Sequence, residues 1–127
     1  MFKDLIGAPF EYGKMDCEIL VQKVFGKYNI DIPDYNMARS AINLYNAKER
    51  IDLIKKEIAK WTEIEEPEVP CLVALSRFGH VTHVGVYIGD GKFIHTTSTR
   101  GSVTIERLSS PLYRNTKFYR FNSNSSD

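Results

Sequence analysis

Two hydrophobic periods divide the chain. Up to about residue 64 the apolar positions recur at three- and four-residue intervals, and from about residue 69 onward they run in short alternating or continuous stretches. Helices first and strands afterwards predict an α+β fold rather than alternating βαβ units. The first helix opens at Asp16, a good N-cap, and carries Leu20, Val21, Val24, Phe25 and Tyr28 on one stripe until Asn29 and the Ile32-Pro33 turn stop it. Cys17 lies three and four residues ahead of Leu20 and Val21, hence at the first turn and on the inward face. A second helical region is expected from about Met37 to Trp61, broken near Asn46, with Ile51, Ile54, Ile58 and Trp61 spaced for a buried stripe.

Pro67 and Pro70 punctuate the change of period. Cys71 to Leu75 is then an apolar strand, and Val81–Ile88 and Lys92–Thr97 flank Gly89-Asp90-Gly91 as a β-hairpin. Shorter strands are expected at Val103–Ile105 and Lys117–Phe121, and Arg77–Thr82 reads as a polar turn that leaves His80 solvated. A two-residue turn would send His83 and His95 to opposite faces. A three-residue loop, with Ile88 opposite Lys92, sorts Val84, Val86, Ile88 and Ile94 onto one face and His83, Gly85, Tyr87, Phe93 and His95 onto the other. The second register is preferred because it gathers the β-branched residues. It places His95 opposite Gly85 and diagonal to His83, about 7 Å apart between Cβ atoms and within reach of a ring-to-ring hydrogen bond.

A cysteine at a helix amino terminus, a histidine on a strand and a second histidine on the next strand form a chemical pattern. A free thiol titrates near pH ~8.5, and a helix dipole with an adjacent imidazolium stabilises its thiolate. In that pattern Cys17 is the nucleophile, His83 the base and His95 the group that orients the base, with the Cys17 backbone N–H as the nearest oxyanion donor. Each residue alone is more commonly a packing residue. Cys71, on an apolar strand, is expected to be core. A Cys17–Cys71 disulfide is allowed by count alone, and His80, His83 and His95 have no tight metal-ligand spacing, so no metal and no cofactor is expected.

Composition narrows the classes. The chain has 127 residues, 43% hydrophobic and 12% aromatic, enough for a single domain with its own core over residues 1–121. The Asn, Ser and Asp run at 122–127 reads as a disordered tail. Seventeen basic against sixteen acidic residues leave +1, which does not suggest nucleic acid, and no apolar run is long enough for a membrane span. The stretch Met1–Pro9 does not read as a secretory signal, so cytoplasmic synthesis is expected, with export, if it happens, by some other route and the virion tail or the cell wall as candidate places of action.

The runs Asp16-Cys17, Leu20-Val21, Ile30–Tyr35 and above all His83-Val84-Gly85-Val86-Tyr87-Ile88-Gly89-Asp90-Gly91-Lys92-Phe93-Ile94-His95 resemble the NlpC family of cell-wall cysteine peptidases. The resemblance extends from Gly7 to Arg120 and is weaker between Asn36 and Glu68; Phe118-Tyr119-Arg120 is similar to the branch found in phage tail-tip proteins. It implies a papain-like α+β fold, cleavage of peptidoglycan stem peptides, and the roles of Cys17, His83 and His95 given above. It also implies a substrate-cleft tyrosine ahead of the cysteine, for which Tyr12 is the better candidate and Phe10 the rival. Possible partners on this basis are the peptidoglycan peptide and tail-tip proteins. Two departures stand out: Glu18-Ile19 where many members read Ser-Gly, and Val69-Pro70 where Gly-Asp commonly opens the first core strand. A structural tail-tip or adaptor module, and an acyltransferase or deamidase, are the rival readings.

Overall fold

The Asp16 side chain accepts hydrogen bonds from the backbone N–H groups of Glu18 and Ile19, satisfying donors that a helix start leaves orphaned. The helix it opens, α1, spans Cys17–Lys27 and buries Cys17, Leu20, Val21, Val24 and Phe25. Tyr28 is its C-cap rather than part of the stripe, and Asn29 takes a left-handed conformation with φ 64°, which ends the helical path. The computed structural model describes residues 1–11, 14–32, 55–77, 79–110 and 115–122. Most of the second expected helical region therefore lies outside the described residues. Its end is helical at 55–58, where Ile58 is buried.

Among the described residues six strands follow: β1 Thr62–Ile64, β2 Cys71–Arg77, β3 His80–Gly89, β4 Lys92–Thr96, β5 Val103–Arg107 and β6 Thr116–Arg120. They form one antiparallel sheet in the order β1-β6-β2-β3-β4-β5. β1 corrects the sequence expectation of a helical pattern reaching residue 64. Its partner β6 is more than fifty residues away along the chain, so local periodicity carries no sign of the pairing. His80 is exposed as expected, yet it begins β3 instead of lying in a turn.

Strand alternation gives the sheet two faces. Leu72, Ala74, Val84, Val86, Ile94 and Val103 pack with Leu20, Val21, Val24 and Phe25 of α1, which rests on β3 and β4. Burying these side chains supplies the main stabilisation, about 1.5–3 kcal/mol for each large apolar residue. Cys71, Val73, Phe93 and His95 alternate with them and are also buried. At the margin, Trp61 stands edge-on to both Phe25 and Phe121, with ring centroids 5.6 and 5.1 Å away. Asn122 bonds Thr62 Oγ1 and donates to the Lys60 carbonyl, so the expected disordered tail does not begin there; 123–127 lie outside the described residues.

The β3–β4 hairpin corrects the expected loop while keeping its outcome. Val86 pairs Ile94 and Tyr87 pairs Phe93, but Gly89, not Ile88, pairs Lys92. The turn is the two-residue Asp90-Gly91, both with positive φ (54° and 70°), the geometry that matches the right-handed twist of a hairpin. An irregularity between Tyr87 and Gly89 absorbs the odd residue and restores the face assignment of the histidines.

Candidate active site

Cys17 heads α1, and His83 and His95 lie on the two strands, β3 and β4, on which that helix packs. The segment before the helix is pinned along the start of β5 by Gly7 N–H to Val103 O, Val103 N–H to Ala8 O and Phe10 N–H to Gly101 O, all at 2.9–3.0 Å. A backbone bridge between Glu11 and Met15 then delivers the chain into Asp16. Cys17 is the first residue of α1 and only 3% exposed. The positive end of the helix dipole lies at its position. Both cysteines are free thiols, so the disulfide allowed by count is not formed.

The two imidazoles meet across β3 and β4. His83 Nε2 lies 2.8 Å from His95 Nδ1, with ring centroids 5.0 Å apart. Three features set this geometry. Gly85 lies against His95, and a Cβ there would stand 2.9 Å from His95 Cβ and 2.8 Å from the Ile94 carbonyl oxygen. Phe93 packs on the His95 ring at 4.5 Å between centroids. A β-bulge opposite Leu75 and Ser76 sits beside His83, and bulges re-aim neighbouring side chains.

The sequence reading missed what stands behind the second ring. His95 Nε2 is 2.8 Å from Glu106 Oε2, and Arg100 Nη2 donates to Glu106 Oε1 at 2.9 Å. The clue is legible in β5: Val103 and Ile105 alternate with Thr104 and Glu106, so the polar pair shares the histidine face once β5 is paired with β4. His95 is 2% exposed, and its burial pulls the ring's pKa down; the Glu106 hydrogen bond opposes this, and the Arg100 charge reinforces it. His95 is thereby favoured as a neutral ring that can accept a hydrogen bond. Burial also pushes the Cys71 thiol up to about 11.

Tyr12 lies outside the described residues, as do Pro33, Asp34 and Tyr35. Among the described residues no group of three His, Cys, Asp or Glu side chains is arranged to hold a metal ion, and no helix is long and apolar enough to cross a membrane.

The profile of the NlpC/P60 family matches residues 7–121, and the chain belongs to that family, whose members are generally cysteine peptidases or amidases of the cell wall. An NlpC/P60 family protein from Bacillus cereus ATCC 10987 is similar over 95% of this chain, at 20% identity and a TM-score of 0.64. A protein described as similar to lipoprotein, NLP/P60 family, from Staphylococcus aureus subsp. aureus Mu50 is similar over 93%, at 21% identity and a TM-score of 0.56. At this identity the likeness is one of fold, the papain-like α+β arrangement. The chain spans 37% and 38% of the length of those two proteins. No curated protein matches it.

Proposed function

We propose that this domain hydrolyses a peptide or amide bond in peptidoglycan stem peptides, acting at the cell wall with Cys17 as nucleophile, His83 as base and His95 as the ring that orients it. The observation that carries the reading is the 2.8 Å hydrogen bond between His83 and His95, on the two strands against which the Cys17 helix packs. In the reaction His83 takes the thiol proton and the sulfur attacks the scissile carbonyl carbon. The resulting oxyanion is held by the Cys17 backbone N–H. Collapse breaks the C–N bond, the amine leaves with the proton from His83, and an acyl-enzyme remains. Water then attacks the thioester, giving its proton to His83, and releases the carboxylic acid and the thiol. The family resemblance implies a tyrosine ahead of the cysteine in the substrate cleft, and Tyr12 is the candidate for it.

Digestion of purified muropeptides by wild type, Cys17→Ser and His83→Ala tests this. Both variants are expected to be inactive, while His95→Ala retains a measurable fraction because it removes only orientation. Wild-type rates in His83→Ala would refute the assignment.

Glu18 favours a second reading. Its carboxylate sits in the first turn beside Cys17, where it suits the helix end but works against a neighbouring thiolate. A weakly active structural module, such as one in a phage tail tip, accommodates that charge. Glu18→Ser, which restores the neutral residue common in the family, raises muropeptide turnover if the charge is the restraint.

A further inference from the structure

We propose that Glu106, held by Arg100, is a positioning residue that fixes which nitrogen of each imidazole carries the proton, and thereby leaves His83 Nδ1 as the basic nitrogen. Its catalytic consequence rests on the reading of Cys17 and His83 given above, whereas the proton assignment itself does not.

The inference follows from donors and acceptors. Arg100 has only N–H groups to offer, so Glu106 Oε1 accepts from it, and the ionised carboxylate presents Oε2 as a second acceptor. His95 Nε2 faces that oxygen at 2.8 Å and must donate. A neutral imidazole with its proton on Nε2 has a lone pair on Nδ1, and this is the atom 2.8 Å from His83 Nε2. His83 Nε2 must then donate in turn. The lone pair of neutral His83 falls on Nδ1, the atom available to accept a proton from a thiol. When His83 is protonated the chain needs no rearrangement: Nε2–H still donates to His95, and the Glu106 charge stands two hydrogen bonds away from the imidazolium.

Glu106→Gln reverses this logic without changing the shape of the side chain. Arg100 still requires an oxygen, which turns the amide NH2 toward His95 Nε2. That nitrogen must then become the acceptor, the His95 proton moves to Nδ1, and it points at His83 Nε2. His83 in turn carries its proton on Nδ1 and has no lone pair there for Cys17. Adding Arg100→Ala frees the amide to rotate and present its oxygen to His95.

Two readouts test this. Imidazole 15N spectra in a Cys17→Ala background, at a pH where both rings are neutral, should show Nε2–H on both histidines. With Glu106→Gln added, both protons should move to Nδ1. Muropeptide turnover by Glu106→Gln should drop at least about a hundredfold, less than the roughly ten-thousandfold loss when the carboxylate that bonds the base directly in a Ser-His-Asp triad is made an amide, because Glu106 acts through His95. Arg100→Ala added to Glu106→Gln should recover roughly tenfold of that loss. A residue that merely supported the fold would give additive losses and no change of tautomer. An Nδ1–H on His95 without the Gln substitution, or full turnover by Glu106→Gln, would overturn the proposal. If the protons move as described but the wild-type protein leaves muropeptides intact, the hydrolase reading fails and the relay stands.

Discussion

Gly85 faces His95 at a distance that admits no side chain: a Cβ on Gly85 would meet the His95 Cβ at 2.9 Å and the Ile94 carbonyl oxygen at 2.8 Å. The second of these is backbone, which cannot swing aside as the tip of a flexible side chain can. Gly85→Ala should therefore spread β3 from β4, costing about 1–3 kcal/mol of stability, offset in part by about 0.4–1 kcal/mol from a stiffer unfolded chain. Urea melts measure the first effect. Because the hydrogen bond between the imidazoles spans the same gap, turnover by the folded variant should fall as well. An unchanged midpoint together with unchanged turnover would show that the hairpin has slack at this position.

The two thiols should differ in chemistry. Cys71 is fully buried and its thiol is pushed up to about 11, so at neutral pH its thiolate is about one part in ten thousand. Limiting iodoacetamide at mildly acidic pH, followed by peptide mass mapping, should place the adduct on Cys17. Equal labelling of both residues would remove the basis for an activated nucleophile.

Stability should respond to pH through His95. Its folded-state pKa lies below the ordinary histidine value of 6.5, chiefly because the ring is buried. Below 6.5 the unfolded chain takes up a proton that the folded ring still refuses, so this contribution to stability is complete above 6.5 and is lost as pH falls from there through the folded-state value. Thermal melts of wild type and His95→Asn between pH 5 and 8 check the sign. The wild-type melting temperature should fall more steeply on acidification than that of the variant. Parallel curves would mean that the ring charges as readily in the folded state as in the unfolded one.

The cap of the nucleophile helix can be tested by itself. Asp16→Ala leaves the Glu18 and Ile19 N–H groups without their acceptor, and should cost about 1 kcal/mol, within the ~0.5–2 kcal/mol range for such caps. Asp16→Asn keeps an acceptor and should melt close to wild type. If Ala and Asn behave alike, the hydrogen bonds to Asp16 contribute nothing measurable.

Most of what positions the site is local, and local features are legible in a sequence. Asp16 announces the start of α1, the spacing of Leu20 through Phe25 gives its buried stripe, and the run from His83 to His95 gives a hairpin with both rings on one face. The loop was harder. Gly89-Asp90-Gly91 fits either a three-residue loop or a two-residue turn with a neighbouring bulge, and alternation alone yields the same faces for both. What local pattern cannot supply is contact between distant segments. β1 is a three-residue strand with no period of its own, and it exists because β6 pairs with it. Glu106 becomes part of the imidazole chain only when β5 is laid beside β4, and its partner Arg100 lies in the connection between those strands, where no spacing rule applies.

The position of β6 between β1 and β2 bears on how the molecule comes into being. Of the six strands it is the one translated last, so until it emerges Thr62–Ile64 lacks its partner in the sheet and the β6 side of Cys71–Arg77 is open. Closure of the sheet therefore waits for residues 116–120 to clear the ribosome, and until then the unpaired backbone along β2 is a seam to which another strand can add.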